Sequence, residues 1–380
     1  MAQTQQIRVC FVSPSIYPLF NPMVRTPFSD SEIQLYELAR CFQDDEHVEI
    51  SVLTGDYDQE EVEYYAGILV FRGQFESNKT LIQRILRRKS PLQEILDKID
   101  ADIYMAGAAD SLAKSVAEYC VAKKKAFIYR ITHQRDCDGT FIHGDTAGQD
   151  FRWALHHADS IICQSEEQKR LLRRTEKLTA GIIPNTLTMA PLSDTLRTDV
   201  LWIGEAAEWK QPELFYRLAL TIPHQSFTLL TRPNDQEYFE KLVSKTRDIP
   251  NLGFENSVPY QEWTDYLKRA KLVVNTSRFD GFPFSFTQAF AYGAPVVSLN
   301  LNPDEILDKH KIGLCAQGSE IRLAQGVLDL ISYPRQWQNM SANAFKYAQQ
   351  VQNPEMIIEI YRKLFIKCLG MKIKKRGWKR

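Results

Sequence analysis

The stretch SRFDGFPFSFTQAFAYGAPVVS, residues 277–298, decides the fold prediction. The apolar run at 271–275 comes just before it and is typical of a buried β-strand. Ser285 is predicted to cap a short helix that runs to Tyr292, and Gly293 is predicted to end that helix. A second apolar run follows, so the stretch has the order of a βαβ unit of parallel sheet.

The same alternation of short apolar runs with helical segments extends through the chain. Candidate strands lie at 7–13, 48–54, 68–72, 103–106, 126–132, 160–164, 181–183, 200–203, 226–230, 271–275, 295–299 and 313–316. Candidate helices lie at 30–42, 150–157, 259–269, 321–332 and 354–369. The pattern predicts an α/β protein with two Rossmann-like doubly wound domains in tandem, facing a cleft.

The length of 380 residues suits two domains of roughly 180 residues each. The irregular segment after Pro184-Asn185 is the best candidate for a linker. We therefore predict an N-terminal domain at 1–190 and a C-terminal domain at 195–352. Residues 353–380 are predicted to form a last helix, which packs back on the N-terminal domain, and a basic tail.

Composition limits the class of protein. The chain is 44% hydrophobic and 25% charged, as in ordinary globular proteins, and its formal net charge is zero, so no overall field attracts nucleic acid. Its seven cysteines are scattered without a C-x-x-C pair, which favours reduced core residues. No run is long enough to span a bilayer, and the polar start lacks a signal-peptide core. We expect a cytoplasmic protein.

Asp280 and Gly281 follow the strand at 271–275, at the end where parallel sheets bind ligands. The positive end of the following helix suits an anion such as phosphate. Asp280 and Gln288 would flank that anion. A carboxylate there can accept hydrogen bonds from sugar hydroxyls, and an amide can both donate and accept.

The run NTSRFDGFPFSFTQAFAYGAPVVSLNLNPDEIL, residues 275–307, resembles the donor-binding region of retaining glycosyltransferases of the GT-B type, in particular glycosyltransferase family 4. In that family Glu-Gly-Phe follows the strand, a second Glu comes eight positions later, and Gly-x-Pro-Val-Val follows the helix. Three more stretches are similar to the family in the same order: DSEIQLYELARCF (30–42), IPNTLTM (183–189) and VLWIGEAAEWKQPELFYRLA (200–219).

The resemblance implies a sugar transfer from a nucleotide-diphosphate sugar to an acceptor hydroxyl, with retained anomeric configuration and no metal or other cofactor. It implies catalytic roles for Asp280, Lys210 and His133. The donor-binding residues that it implies are Gly281, Phe282, Pro283, Phe284, Ser285, Gln288, Arg232 and Glu205. The acceptor would enter from the N-terminal domain.

The sequence departs from the family pattern at three of these positions. Asp280 replaces the first glutamate, Gln288 replaces the second, and Glu205 stands where the family has an arginine beside the diphosphate. Lys210 is retained. We expect Arg232, placed just after the strand at 226–230, to supply the missing cation, with a solvated loop arginine as the alternative.

His133 matches a family histidine near the transferred sugar, while a purely structural histidine and a role for Asp136 instead stay open. Asp136-Cys137-Asp138 also spells the D-x-D of metal-dependent glycosyltransferases. The same spacing recurs at 56–58 and 100–102, so we expect no metal site.

The expected partners are a nucleotide sugar and a saccharide or lipid-linked acceptor. The tail KIKKRGWKR, residues 372–380, fits an anionic membrane surface or a disordered solubilising end, and LIQRILRRK at 81–89 is an amphipathic candidate for the same surface. The competing hypothesis is a degenerate, non-catalytic GT-B module that binds a nucleotide sugar or a partner enzyme. A GT-B phosphorylase or epimerase is a third.

Overall fold

The computed structural model describes residues 6–75, 89–107, 111–188, 196–256 and 258–377, with side chains up to residue 371. The chain forms two compact units. The N-terminal unit comprises Met1–Pro184 and Glu355–Arg380, and the C-terminal unit comprises Asn185–Pro354. Each unit has a mainly parallel sheet with helices, so the prediction of two doubly wound α/β domains is confirmed.

The N-terminal unit contains an eight-stranded sheet of order β3-β4-β2-β1-β5-β6-β7-β8 among the described residues. Its strands are β1 Ile7–Val12, β2 Val48–Thr54, β3 Val62–Tyr65, β4 Ile68–Arg72, β5 Ile103–Ala106, β6 Ala126–Arg130, β7 Ser160–Cys163 and β8 Gly181–Ile182. Its helices are α1 Tyr17–Phe20, α2 Asp30–Cys41, α3 Pro91–Ile99, α4 Ser111–Lys123, α5 Thr146–His157 and α6 Glu166–Glu176.

The C-terminal unit contains a six-stranded sheet of order β11-β10-β9-β12-β13-β14. Its strands are β9 Asp199–Ala206, β10 Phe227–Pro233, β11 Leu252–Glu255, β12 Ala270–Asn275, β13 Val296–Ser298 and β14 Gly313–Cys315. Its helices are α7 Pro212–Thr221, α8 Gln236–Thr246, α9 Trp263–Arg269, α10 Phe284–Ala291, α11 Ile306–Lys309, α12 Glu320–Ser332 and α13 Pro334–Val351. The last helix, α14 Pro354–Gly377, crosses into the N-terminal unit.

Two strands were not predicted, and both lie at the edge of their sheet. β3 pairs only with β4, in the antiparallel sense, and two of its four residues are exposed. Among the described residues, β11 pairs with β10 alone, and it contains Gly253, which has no side chain to pack. An edge strand needs fewer apolar residues than a central one, so its apolar signal in the sequence is weak.

Local sequence fixes where the helices begin. Ser29 caps α2, and the carboxylate of Glu32 accepts from the backbone N–H of Ser29 at 2.7 Å, which completes a capping box. The same arrangement starts α3, where Ser90 and Gln93 form the box and proline occupies the first turn. These signals lie within four residues of each other, so they can be read without knowledge of the fold.

Helix α14 binds the N-terminal unit through buried polar contacts. Arg362 donates from Nε and from its terminal nitrogen to Oδ2 of Asp45, at 2.9 and 2.6 Å. The hydroxyl of Tyr361 accepts from Nε of Arg130 at 3.2 Å, and Phe365 packs against Phe42. These contacts tie residues that are far apart in the sequence to one core.

Three regions discussed above lie outside the described part of the chain. These are residues 81–88 of the amphipathic candidate, residues 189–195 of the linker candidate and the side chains of the basic tail. Within the described residues, the structure contains no helix with the length and apolar character that crossing a bilayer requires.

Replacing Arg362 with alanine should lower the free energy of unfolding by about 1–2 kcal/mol, because Asp45 is buried and loses both charge-assisted hydrogen bonds. The matched control is Lys363→Ala on the same helix, since Lys363 is exposed and its ion-pair partner Glu359 is exposed as well. It should change stability by less than about 0.5 kcal/mol. Urea denaturation measures both, and equal losses in the two variants would contradict this account.

Candidate functional site

The C-terminal sheet changes direction between β9 and β12. From β9 the chain adds β10 and then β11 on one side, and it then returns to place β12 on the other side. Open parallel sheets bind ligands at such a switch point, beyond the carboxyl ends of the two strands. The loops at this point are residues 207–211, after β9, and residues 276–283, after β12.

Hydrogen bonds join these two loops. The hydroxyl of Thr276 donates to the carbonyl of Lys210 at 2.6 Å and accepts from the indole N–H of Trp202 at 2.9 Å. The backbone N–H of Arg278 donates to the carbonyl of Trp209 at 2.9 Å. The two loops therefore hold a fixed position relative to each other, which a binding site needs.

A buried ion pair lies at the switch point. Nζ of Lys210 is 3.4 Å from Oδ2 of Asp280, and each side chain is only 6% exposed. The ammonium group also lies 4.5 Å from the centre of the Trp209 ring. The structure thus brings together two of the three predicted catalytic residues.

Helix α10 follows the second loop, but Ser285 does not cap it. The helix begins one residue earlier, at Phe284, and Pro283 occupies the N-cap position with no side-chain cap bond. The prediction for Ser285 is therefore wrong, and the first N–H groups of α10 are not capped by that side chain. Gly293 has a φ of 64° and its N–H bonds to the carbonyl of Phe290, so the predicted end of the helix is confirmed.

Gln288 lies in the middle of α10 and is only 2% exposed. Its Nε2 atom is buried and makes no hydrogen bond to any residue that the structure describes. A buried amide N–H without an acceptor is unfavourable by about 1–3 kcal/mol, so native structures rarely leave one. The neighbouring Thr287, in contrast, accepts from Nε2 of Gln352 at 3.3 Å. Gln288 is therefore suited to hold a hydrogen-bond acceptor that a ligand brings.

Arg232 and Glu205 are aligned partners on adjacent strands. They are paired in the parallel register of β10 and β9, and both are buried. Arg232 lies within β10 and not in the loop after it, so the predicted end of this strand was wrong. The alternative of a solvated loop arginine is wrong as well, because Arg232 is buried. Its guanidinium group lies 5.3 Å from the centre of the Trp263 ring. The cation is thus one strand away from the family's position.

His133 and Asp136 belong to the N-terminal unit, where they follow β6. Asp136 is fully buried, and its Oδ2 accepts from the backbone N–H groups of Thr132 and His133 at 3.3 and 3.2 Å. Burial raises the pKa of the Asp136 carboxyl group. Asp136 therefore stabilises this turn, whereas His133 is half-buried at the start of the turn.

The D-x-D stretch does not gather metal ligands. Asp138 accepts from the backbone and hydroxyl of Thr140 at 2.9 and 2.7 Å, while Asp136 bonds the backbone as described. Across the ranges that the structure describes, no three or more His, Cys, Asp or Glu side chains are grouped to hold a metal ion.

The remaining donor-site candidates, Gly281 to Ser285, follow Asp280 directly and are all buried. The last two of them form the start of α10. Two aromatic residues of the site, Trp209 and Phe279, were not predicted from the sequence. The rings of Trp209 and Phe279 stack with centroids 5.4 Å apart and planes at 14°. Each ring is next to a predicted catalytic residue in the sequence, which was the one signal that could have pointed to the pair.

Residues 197–333, which include both loops of this site, match the family model described as Glycosyl transferases group 1. Poly(glycerol-phosphate) alpha-glucosyltransferase from Bacillus subtilis (strain 168) is 26% identical over 155 residues. That match covers 36% of this chain and 23% of the enzyme, so the chain aligns with about a quarter of that relative's length.

Solved glycosyltransferase structures share the fold. Sucrose-phosphate synthase from Thermosynechococcus elongatus has a TM-score of 0.73 at 16% identity, over 95% of this chain and 100% of that one. Anabaena HepE, solved with UDP and glucose, has a TM-score of 0.70 at 15% identity, over 94% and 99%. A mutant of TarM from S. aureus, in a complex with UDP, has a TM-score of 0.71 at 12% identity, over 95% of this chain and 100% of that one. The chain therefore has the GT-B fold.

Removing one partner of the buried ion pair should destabilise the protein strongly. Lys210→Met leaves the Asp280 carboxylate buried without its cation, and we expect a loss of about 3 kcal/mol in the free energy of unfolding. The double variant Lys210→Met/Asp280→Leu should lose less than the two single variants together. The coupling should be at least about 1 kcal/mol, measured by urea denaturation of all four proteins.

The control cycle uses Lys241→Met and Glu237→Leu, an exposed ion pair on α8. Its coupling should stay below about 0.5 kcal/mol. If the stability losses of Lys210→Met and Asp280→Leu are additive, the coupling free energy is no larger than in the control cycle. That result would mean that the two charges do not stabilise each other.

Proposed function

We propose that the chain is a retaining glycosyltransferase of the family 4 type. It moves a sugar from a nucleotide-diphosphate donor to an acceptor hydroxyl, in the synthesis of a glycan, polysaccharide or glycolipid. The observation that carries this proposal is the Lys210–Asp280 ion pair at the switch point, next to a helix whose Gln288 has a buried amide N–H without an acceptor. These groups offer what a nucleotide sugar needs at the place where such ligands bind.

Lys210 serves the diphosphate in this proposal. Negative charge builds up on the leaving diphosphate as the glycosidic bond breaks, and a fixed cation in a water-poor site stabilises it. The amino end of α10 adds partial positive charge and N–H donors. Arg232 supplies the second cation, which offsets Glu205 on the neighbouring strand. With two cations and a helix end in these roles, the reaction is proposed to need no metal ion.

Asp280 binds the donor sugar, since its carboxylate accepts hydrogen bonds from hydroxyl groups. Its Oδ2 atom lies 3.4 Å from Nζ of Lys210, so the same carboxylate also holds the cation in place. Gly281 to Ser285 line the phosphates with backbone groups. In the retaining mechanism the leaving phosphate oxygen takes the acceptor proton, so a protein base is not required, and His133 contacts the transferred sugar.

The acceptor is proposed to be a saccharide or a lipid-linked saccharide that the N-terminal unit binds. A lipid-linked acceptor fits a cytoplasmic protein that touches an anionic membrane through the basic tail at 372–380. Liposome binding with and without this tail tests that part separately from catalysis.

A second candidate is a GT-B module that binds a nucleotide sugar without turnover. Two observations favour it: Glu205 places negative charge near the expected diphosphate, and Gln288 cannot form the charge-assisted bonds of the family's glutamate. Binding alone does not separate the two candidates, whereas release of the nucleotide diphosphate does.

The proposal predicts nucleotide binding and then turnover. Calorimetry with UDP, ADP and GDP and their hexose conjugates should identify one nucleotide that binds, and a saccharide acceptor should cause its release as the diphosphate. Arg232→Ala should weaken binding of that nucleotide about tenfold, by loss of a buried cation. The control is Arg217→Ala, an exposed arginine on α7, which should change binding less than twofold.

Three results separate the outcomes of this experiment. Binding without release of the diphosphate favours the non-catalytic module. No binding of any nucleotide contradicts both candidates. Unchanged affinity in Arg232→Ala removes Arg232 from the diphosphate site and leaves the rest of the proposal in place. The anomeric configuration of the product, read by NMR, decides between retention and inversion.

Gln288→Glu should have opposite effects on the free and the bound protein. The buried carboxylate should lower the melting temperature of the free protein, because its charge loses water. It should increase the rise in melting temperature caused by the bound nucleotide, since a carboxylate makes stronger bonds to ribose hydroxyls. Gln288→Leu is the matched control, and it should decrease that rise. If neither variant changes the rise, Gln288 does not contact the nucleotide.

A further inference from the structure

Trp209 and Phe279, here called the aromatic stack, lie on the two loops of the switch point. Trp209 follows β9, Phe279 follows β12, and the rings are nearly parallel. The backbone bond from Arg278 to the carbonyl of Trp209 holds the loops together directly beside the rings. This bond therefore fixes the relative position of the two backbone segments that carry the rings.

The aromatic stack is partly exposed to solvent, whereas the charged side chains next to it are buried. Phe279 is 51% exposed, while its neighbour Asp280 and the ion-pair partner Lys210 are each 6% exposed at the side chain. The four other phenylalanines of this segment, at 282, 284, 286 and 290, are all buried. Phe279 thus presents an aromatic ring at the rim of the site, immediately outside the buried charges.

We propose that the aromatic stack is the surface on which a sugar ring binds at the rim of this site. The inference rests on the proposed function and adds a recognition element that the family resemblance did not assign. One face of a pyranose ring carries C–H groups, and the face of an aromatic ring carries partial negative charge, so the two surfaces attract each other as they exclude water. Because Trp209 supports Phe279, little side-chain freedom is lost on binding.

The burial of the neighbouring groups indicates that the exposed stack binds a sugar and not the phosphates or the nucleoside of the donor. The phosphates need the cation of Lys210, which is buried, and the nucleoside is placed with Gln288, which is buried on α10. The stack lies beside Asp280, which is proposed to bind the donor sugar. The hexose of the donor and a hexose of the acceptor share the chemistry that the stack recognises, and the test separates them.

The test compares Phe279→Ala with the conservative Phe279→Tyr in the full chain. The control is Leu220→Ala, since Leu220 is 57% exposed at the last turn of α7, away from the carboxyl end of the sheet. Calorimetry first measures the best-binding nucleoside diphosphate and its hexose conjugate. It then measures maltose and cellobiose binding to protein saturated with the diphosphate.

Phe279→Ala should leave the diphosphate affinity within twofold of the wild type. It should weaken either the hexose conjugate or the disaccharide three- to tenfold, and the affected ligand identifies the source of the sugar. Phe279→Tyr keeps an aromatic ring, so it should bind that ligand with the affinity of the wild type. Leu220→Ala should change none of the affinities.

Several results would overturn the proposal. If Phe279→Ala changes neither the hexose conjugate nor the disaccharides, the stack binds no sugar. If it weakens the diphosphate and its conjugate equally, the stack contacts the nucleotide instead. Both results leave the proposed function standing. If the wild type binds no nucleotide at all, the proposed function fails first, and the role of the stack fails with it.

Discussion

The site depends on one electrostatic constraint, the buried pair of Lys210 and Asp280 across the gap between β9 and β12. A lysine this deep needs a partner, because burial of an unpaired charge is strongly unfavourable. Asp280 supplies that partner at 3.4 Å, and the hydrogen bonds of Thr276 fix the loop that carries the lysine. The chain can therefore keep a cation ready at the switch point before any ligand arrives.

The neighbouring charges follow from the same constraint. In this chain a glutamate occupies the family's arginine position on β9, and an arginine occupies the aligned position on β10. The cation of this strand pair therefore lies on β10 and not on β9. Gln288 adds a neutral donor where the family has a charge. The proposed function requires these exchanged residues to hold the phosphates through a different set of contacts.

Local patterns predicted most of the fold. The apolar run that forms β12 and Gly293 after α10 are signals of a few residues, so each was predicted directly from the sequence. The capping box of α2 is equally local, although it was found only in the structure. The edge strands β3 and β11 were missed because each has only four residues, and acidic residues or glycine interrupt its apolar signal. The pairing of Lys210 with Asp280 and the stacking of Trp209 on Phe279 join residues seventy positions apart, and no local pattern specifies such contacts. Ser285 was misplaced because a proline can hold the N-cap position without a side-chain bond.

A crystal structure of the protein with UDP, or with the nucleoside diphosphate that binds best, tests the central claim most directly. The account predicts a phosphate oxygen within hydrogen-bond distance of Nζ of Lys210 and of the first N–H groups of α10, with the ribose next to Gln288. A nucleotide bound elsewhere, with the Lys210–Asp280 pair and the amino end of α10 left without contact to it, would contradict the account.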